Sequence, residues 1–229
     1  MPDHVLTIIS HSRRFIYIKA RKVASSSLLV ALGAHCSPDD IVTAPGDTEG
    51  FERRERNSAG LKTHTAPADL RRIVTPEQWR SYTKIACVRN PWDGVISALF
   101  WRAHRRHKRQ APTYSEGFLQ ALAALTIDVA DPEYRRHLLD AVDLARRNET
   151  FYFSDDGQAE ADVYLRYENL QGDYDALCAR LGMPTTTLPV LKGNARPQRL
   201  DYRPFYDDIL RQTVAEAAPR TIAHFGYAF

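Results

Sequence analysis

The stretch Ile85-Ala86-Cys87-Val88-Arg89-Asn90-Pro91-Trp92-Asp93 admits few local structures. Four apolar residues in succession have the length of a buried strand. The residues that follow are helix-start signals. Asn90 suits the N-cap, Pro91 the first helical position, and Asp93 the first turn, where the helix dipole favours an acid. Trp92, Val95, Ile96, Leu99 and Phe100 then recur at helical spacing and predict one buried face. Arg89 therefore ends a strand at the mouth of a sheet, and Ser97 lies about two turns into the next helix. A fixed cation and a hydroxyl at a strand-to-helix corner suit an anion.

The rest of the chain repeats that alternation. Phe15-Ile16-Tyr17-Ile18 reads as a compact buried strand and leads through Lys19-Ala20-Arg21-Lys22-Val23-Ala24-Ser25-Ser26-Ser27 into a helix that ends near Gly33. Val5 to Ile9 has the pattern of an edge strand. Residues 37–60 are polar and rich in turn formers, which predicts a long loop. Helices are expected at 67–73, 76–82, 115–125, 132–147, 174–181 and across most of 202–217. Thr150-Phe151-Tyr152-Phe153 and Ala161-Asp162-Val163-Tyr164-Leu165-Arg166 flank Asp155-Asp156-Gly157 and read as a hairpin or two strands around a turn. The closing Phe225-Gly226-Tyr227-Ala228-Phe229 should dock on the core. Strands alternating with helices predict an α/β fold with a largely parallel sheet.

Composition narrows the class. At 229 residues, 44% of them hydrophobic, one domain spanning 1–229 is the expectation. A net charge of +3 permits a polyanionic partner without requiring one. Cys36, Cys87 and Cys178 are widely spaced and odd in number, which fits free thiols in a reducing compartment rather than a disulfide framework or a zinc knuckle. Neither a signal-type leader nor a membrane-spanning run is recognisable, so a cytoplasmic protein is expected.

Four segments carry chemistry. Lys22 followed by Ser25, Ser26 and Ser27 offers a cation, three hydroxyls and the amides of a helix start, all favourable to phosphate. The same serines could serve only as helix caps. This loop is not a Walker motif, because no glycine precedes the lysine. The other three are Lys62-Thr63-His64, Arg89 with Ser97, and Arg166-Tyr167-Glu168-Asn169. The basic run Trp101-Arg102-Ala103-His104-Arg105-Arg106-His107-Lys108-Arg109 reads as a solvated helix end or as an acceptor or partner surface.

In this order the four segments resemble the sulfotransferases that use 3′-phosphoadenosine 5′-phosphosulfate (PAPS). The likeness spans about residues 14 to 229. It points to the bacterial branch related to the carbohydrate sulfotransferases, the family 2 type, whose tail Tyr202-Arg203-Pro204-Phe205-Tyr206 resembles. Lys22-Val23-Ala24-Ser25-Ser26-Ser27 is similar to the loop that binds the 5′-phosphosulfate. Arg89 through Ser97 is similar to the 3′-phosphate motif, and Lys62-Thr63-His64 to the segment with the catalytic histidine. Tyr167 corresponds to a tyrosine near the adenine, and Arg196 falls in a late basic loop that often covers the cofactor. Four positions depart from the family pattern: Ala24 and Ser25 stand where many members have glycines, Arg21 where a proline is common, and Leu28 where cytosolic members carry tryptophan.

The resemblance implies a P-loop-NTPase-like three-layer fold with a central, mostly parallel sheet flanked by helices. It implies sulfuryl transfer from PAPS to an acceptor hydroxyl of a small molecule or carbohydrate, leaving 3′-phosphoadenosine 5′-phosphate (PAP). His64 would be general base, Lys22 would stabilise the leaving phosphate, and Lys62 would contact the sulfonate in flight. No metal, nucleic acid or membrane span is implied. Two other classes stay open: an ATP- and magnesium-dependent phosphotransferase or non-catalytic nucleotide-binding module on the same scaffold, and a nucleic-acid binder using the basic run. The missing Walker Gly-Lys pair speaks against the first and the lack of a nucleic-acid fold against the second.

Overall fold

The computed structural model describes residues 7–43, 66–105, 114–191, 193, 195–197 and 200–229. Residue contacts group the chain into two compact units, Met1–Arg89 with Thr150–Leu191, and Asn90–Glu149 with Lys192–Phe229.

The first unit is built on a five-stranded sheet in the order β3-β1-β2-β4-β5 among the described residues. Its strands are β1 (Ile8–Ser10), β2 (Phe15–Ile18), β3 (Ile41–Val42), β4 (Thr83–Val88) and β5 (Val163–Arg166). β2, β4 and β5 pair in parallel, while β1 pairs antiparallel with both β2 and β3. Four strands thus share one direction and β1 alone opposes them, so the mostly parallel expectation holds with one reversed strand. Every residue of β2 is buried, as is the Ile85-Ala86-Cys87-Val88 run of β4. Continuous apolar runs, rather than alternating ones, are what strands covered on both faces require.

Helices of this unit are α1 (Ser25–Gly33), α2 (Pro67–Ile73), α3 (Pro76–Ser81) and, further along, α7 (Leu170–Arg180). α3 starts with a full capping box, in which the Thr75 side chain accepts from the Gln78 amide and the Gln78 side chain accepts from the Thr75 amide. α7 packs on β5 and buries Tyr174, Leu177 and Cys178. Asp40 ties the loop after α1 to the β1–β2 turn. It accepts from the Ser10 hydroxyl (2.8 Å), the His11 amide (2.7 Å), the Ser12 amide (3.0 Å) and hydroxyl (2.6 Å), and the Ser37 amide (2.8 Å). Burial by itself would raise this carboxyl's pKa, but the hydrogen bonds from Ser12, Ser10 and Ser37 outweigh it and hold the pKa at about 2.

The second unit is helical. It holds α4 (Pro91–His104), α5 (Glu116–Ala124), most of α6 (Pro132–Tyr152), α8 (Asp208–Ala217) and α9 (Pro219–Phe225). The five α4 residues expected to face a core are all buried, and they cluster with Phe118 and Leu122 of α5, Tyr134 and Leu138 of α6, and Leu210 and Val214 of α8. Polar tips are satisfied at the edges: the Trp92 indole donates to the Arg211 carbonyl (2.9 Å) and the Tyr134 hydroxyl to the Phe205 carbonyl (2.6 Å). Phe229 sets its ring edge-on to Trp92, Tyr202 and Tyr206 at centroid distances of 5.6, 5.7 and 5.5 Å, so the terminal aromatics do dock.

Three local expectations are corrected. The hairpin at 150–166 does not form. Residues 150–152 finish α6, Phe153 makes a single antiparallel bridge to Ala159, and 163–166 join the sheet parallel to β4. An apolar tetrad continuing a long amphipathic helix reads locally like a strand, and only tertiary pairing separates the two. Ile41 and Val42, inside the expected loop of 37–60, form β3 instead. That short strand covers β1, which is therefore an interior strand and not an edge.

Candidate functional site

Three parallel strands end on the same side of the first unit, and their C-terminal extensions carry most of the residues singled out by sequence. In open α/β sheets that rim is where ligands bind. β2 leads into residues 19–24 and then α1. The loop contains Lys19, Arg21 and Lys22, and no acidic residue occurs from Lys19 through Ser27. Lys22 and Ala24 both adopt left-handed backbone conformations, with φ of 60° and 57°. Such conformations are uncommon for residues with a Cβ and persist where the surroundings enforce them. Alternation between left-handed and other conformations turns successive amides inward, the arrangement that makes a backbone anion nest.

The helix start completes this cradle. Ala24 is the N-cap of α1 and brings no side-chain cap, and the first turn contains no acid. Ser25, Ser26 and Ser27 are buried there. Hydroxyls at an uncapped helix N-terminus, preceded by a loop with three basic residues, are groups that suit an anion. The Ser27 hydroxyl also accepts from the Leu191 amide at 3.4 Å.

The loop is braced from the strands beneath it. Cys87 donates its thiol to the Val23 carbonyl at 2.9 Å, and the Tyr17 hydroxyl donates to the Ser25 carbonyl at 3.4 Å. Burial pushes the Cys87 thiol well above its ordinary pKa, so it remains a neutral donor. Arg89, only 8% exposed, donates from one guanidinium nitrogen to the Lys22 carbonyl at 2.9 Å. The same guanidinium carbon lies 3.8 Å from the centroid of the Tyr167 ring. Register explains that meeting: Val88 is paired with Arg166 at the strand ends, and Arg89 and Tyr167 are the residues that follow directly after each strand.

Of the residues predicted from sequence, Lys22, Val23, Ala24, Ser25, Ser26, Ser27, Arg89 and Tyr167 thus belong to one strand-end rim in the first unit. Ser97 and Arg196 belong to the second unit. Ser97 is half-buried on α4. Arg196 is ion-paired with Asp93 at 2.6 Å and also donates to the Asp93 and Leu200 carbonyls. Asn90 caps α4 through its side-chain oxygen, which accepts from the Trp92 (3.1 Å) and Asp93 (3.4 Å) amides, as its sequence position predicts. Lys62 and His64 lie outside the described residues, as do 106–109 of the basic run, Lys192 and Arg199.

Sequence reading missed the supports rather than the rim. Cys87 and Tyr17 look like ordinary strand residues, and nothing in their spacing announces that their polar atoms reach loop carbonyls. Lys19 is also buried, and its only sequence signal is its place at the end of a strand in a cationic loop. Among the described residues no group of three or more His, Cys, Asp or Glu side chains could hold a metal ion, and no helix is long and apolar enough to cross a membrane.

No protein-family model matches the sequence, and no curated protein matches it. Among solved structures, the chain is similar to a sulfotransferase from Alicyclobacillus acidocaldarius, at 18% identity over 93% of this chain and 96% of that one, with a TM-score of 0.39. What this chain does has to be read from its own residues.

Proposed function

We propose that this chain is a PAPS-dependent sulfotransferase whose β2–α1 loop receives the 5′-phosphosulfate. The observation that carries the reading is the loop itself: two left-handed residues, three basic residues in a segment whose own sequence has no acid, and an uncapped helix start with three buried serines. This reading takes residues 1–229 as one P-loop-like sulfotransferase domain, with Arg89 on the 3′-phosphate. Ser97, by its sequence position, is assigned to the same phosphate, and Tyr167 to the adenine side.

The chemistry asks little of the protein beyond placement and charge. An acceptor oxygen forms its bond to sulfur while the bond from sulfur to the bridging phosphate oxygen breaks. His64 takes the acceptor's proton, which a histidine near its ordinary pKa does well at neutral pH. Lys22 stabilises the negative charge that builds on the bridging oxygen, an interaction stronger in the transition state than before it. Lys62 steadies the sulfonate oxygens. The acceptor is a hydroxyl of a small molecule or carbohydrate.

A thermal-shift titration with PAP, 5′-AMP and ATP with magnesium tests the reading. A ligand that binds only the folded state raises the melting temperature by mass action. A rise specific to PAP is expected. A rise with ATP and magnesium alone would replace the proposal by phosphoryl transfer, and no rise with any of the three would remove the nucleotide site.

A further inference from the structure

The contacts around Arg89 form a continuous relay in the first unit. Asp173 on α7 accepts from the Arg166 amide at 2.6 Å and from the Asn169 side chain at 2.8 Å, which fixes the short turn Tyr167–Asn169 directly after β5. That turn aims the Tyr167 ring at the Arg89 guanidinium, 3.8 Å away. Arg89 in turn holds the carbonyl of Lys22, whose φ is 60°. An arginine side chain has several rotatable bonds. Stacking on an aromatic face removes much of that freedom and orients the planar fork. Tyr167 is 37% exposed while Arg89 is 8% exposed, so the ring lies over the cation from the solvent side.

We propose that Tyr167 is a positioning residue that acts through Arg89 to keep the Lys22 peptide, and so the whole anion loop, preformed before any ligand arrives. The left-handed conformation at Lys22 costs energy. The hydrogen bond from Arg89 offsets that cost, and the Tyr167 ring keeps the donor in place. Preorganisation of this kind strengthens binding by lowering the ordering cost at the moment of association. It makes affinity for a phosphate group depend on an aromatic ring that need not touch the phosphate. The proposal rests on the reading of the loop as an anion site only in its ligand arm.

Amide hydrogen exchange on the ligand-free protein tests it, followed by calorimetric titration with inorganic pyrophosphate, a probe with no base to stack. In Tyr167→Leu the amides of residues 23–27 should exchange about three- to tenfold faster, the scale of one lost cation–π contact. Tyr167→Phe, which retains a flat ring, should restore slow exchange. Arg89→Lys should resemble Tyr167→Leu, because an ammonium cannot reproduce the stacked fork. Pyrophosphate affinity should fall by a similar factor in Tyr167→Leu and recover in Tyr167→Phe. Unchanged exchange in both Tyr167→Leu and Arg89→Lys would overturn the proposal. So would normal pyrophosphate affinity in Tyr167→Leu alongside weakened PAP binding, which would make Tyr167 a base contact only. Faster exchange in a protein whose wild type binds no pyrophosphate would uphold the positioning role and sink the anion site instead.

Discussion

Arg196 and Asp93 form an ion pair at 2.6 Å with both side chains largely buried, 13% and 15% exposed. The sequence placed Arg196 in a basic loop over a cofactor, whereas its guanidinium is engaged with the first turn of α4. Its Nε is buried and has no hydrogen-bond partner among the described residues. An arginine held this way already has a structural role, and that role is separable from ligand binding.

Removing one partner of such a pair leaves the other desolvated. Arg196→Met should therefore destabilise the fold by about 1–3 kcal/mol, less than a fully buried pair because both groups retain some water. The double variant Arg196→Met with Asp93→Asn should recover part of that loss. Urea unfolding of the three variants checks this. An Arg196→Met protein of normal stability but weakened PAP binding would refute the structural role and favour the cofactor role that the sequence resemblance implies.

Asp40 predicts an acid limb of stability. Its pKa is about 2 when folded and near the ordinary value for an aspartate when unfolded, so the unfolded chain binds the proton first as pH falls. Its stabilisation is complete above about pH 5 and is lost as pH falls towards 2, on the order of 2 kcal/mol in all. Asp40→Asn should be less stable at pH 7 and should lack this part of the acid limb. Melting temperatures from pH 7 to pH 2.5 for both proteins would show it, and parallel curves would refute it.

Ala24 tolerates a left-handed φ of 57°, which a β-branched residue does not. Ala24→Val should cost about 1–2 kcal/mol and should weaken anion binding, because the loop must change course. Ala24→Gly should be close to neutral in stability, since relief of strain offsets the extra entropy of the unfolded chain. Equal stability of the valine and glycine variants would show that the left-handed geometry does not matter.

His64 and Lys22 should separate in kinetics. His64→Ala should lower turnover by a factor of about 10² to 10⁴ with PAP affinity nearly unchanged, the signature of a lost proton acceptor. Lys22→Ala should lose rate more than affinity, because its contribution grows as charge develops on the bridging oxygen. A normal rate in His64→Ala would take that residue out of the mechanism, and the reverse pattern in Lys22→Ala would leave it a binding residue only.

Local chemistry was enough to write the strand-to-helix corners. Asn90, Pro91 and Asp93 start α4 because a cap, a fixed φ and a dipole interaction act within one turn, and the buried face of that helix follows from its spacing. The same holds for β2 and for the cationic loop leading into α1, whose residue types alone mark it as a candidate anion site. Short or ambiguous segments were different. Thr150 to Phe153 is as strand-like in composition as β5, and only packing made its first three residues the end of α6. β3, two residues long, exists because β1 has an open side to pair with. Tertiary structure also decided the supports: the parallel register of β4 and β5 brings Tyr167 onto Arg89, and the stacking of β4 beneath the loop brings the Cys87 thiol to the Val23 carbonyl. The sequence by itself determined which residues offer cations, hydroxyls and free helix-start amides, because charge and helix-start chemistry are local. Only the fold decided what holds those residues in a strained conformation, because hydrogen bonds and ring contacts between strands distant in sequence depend on register.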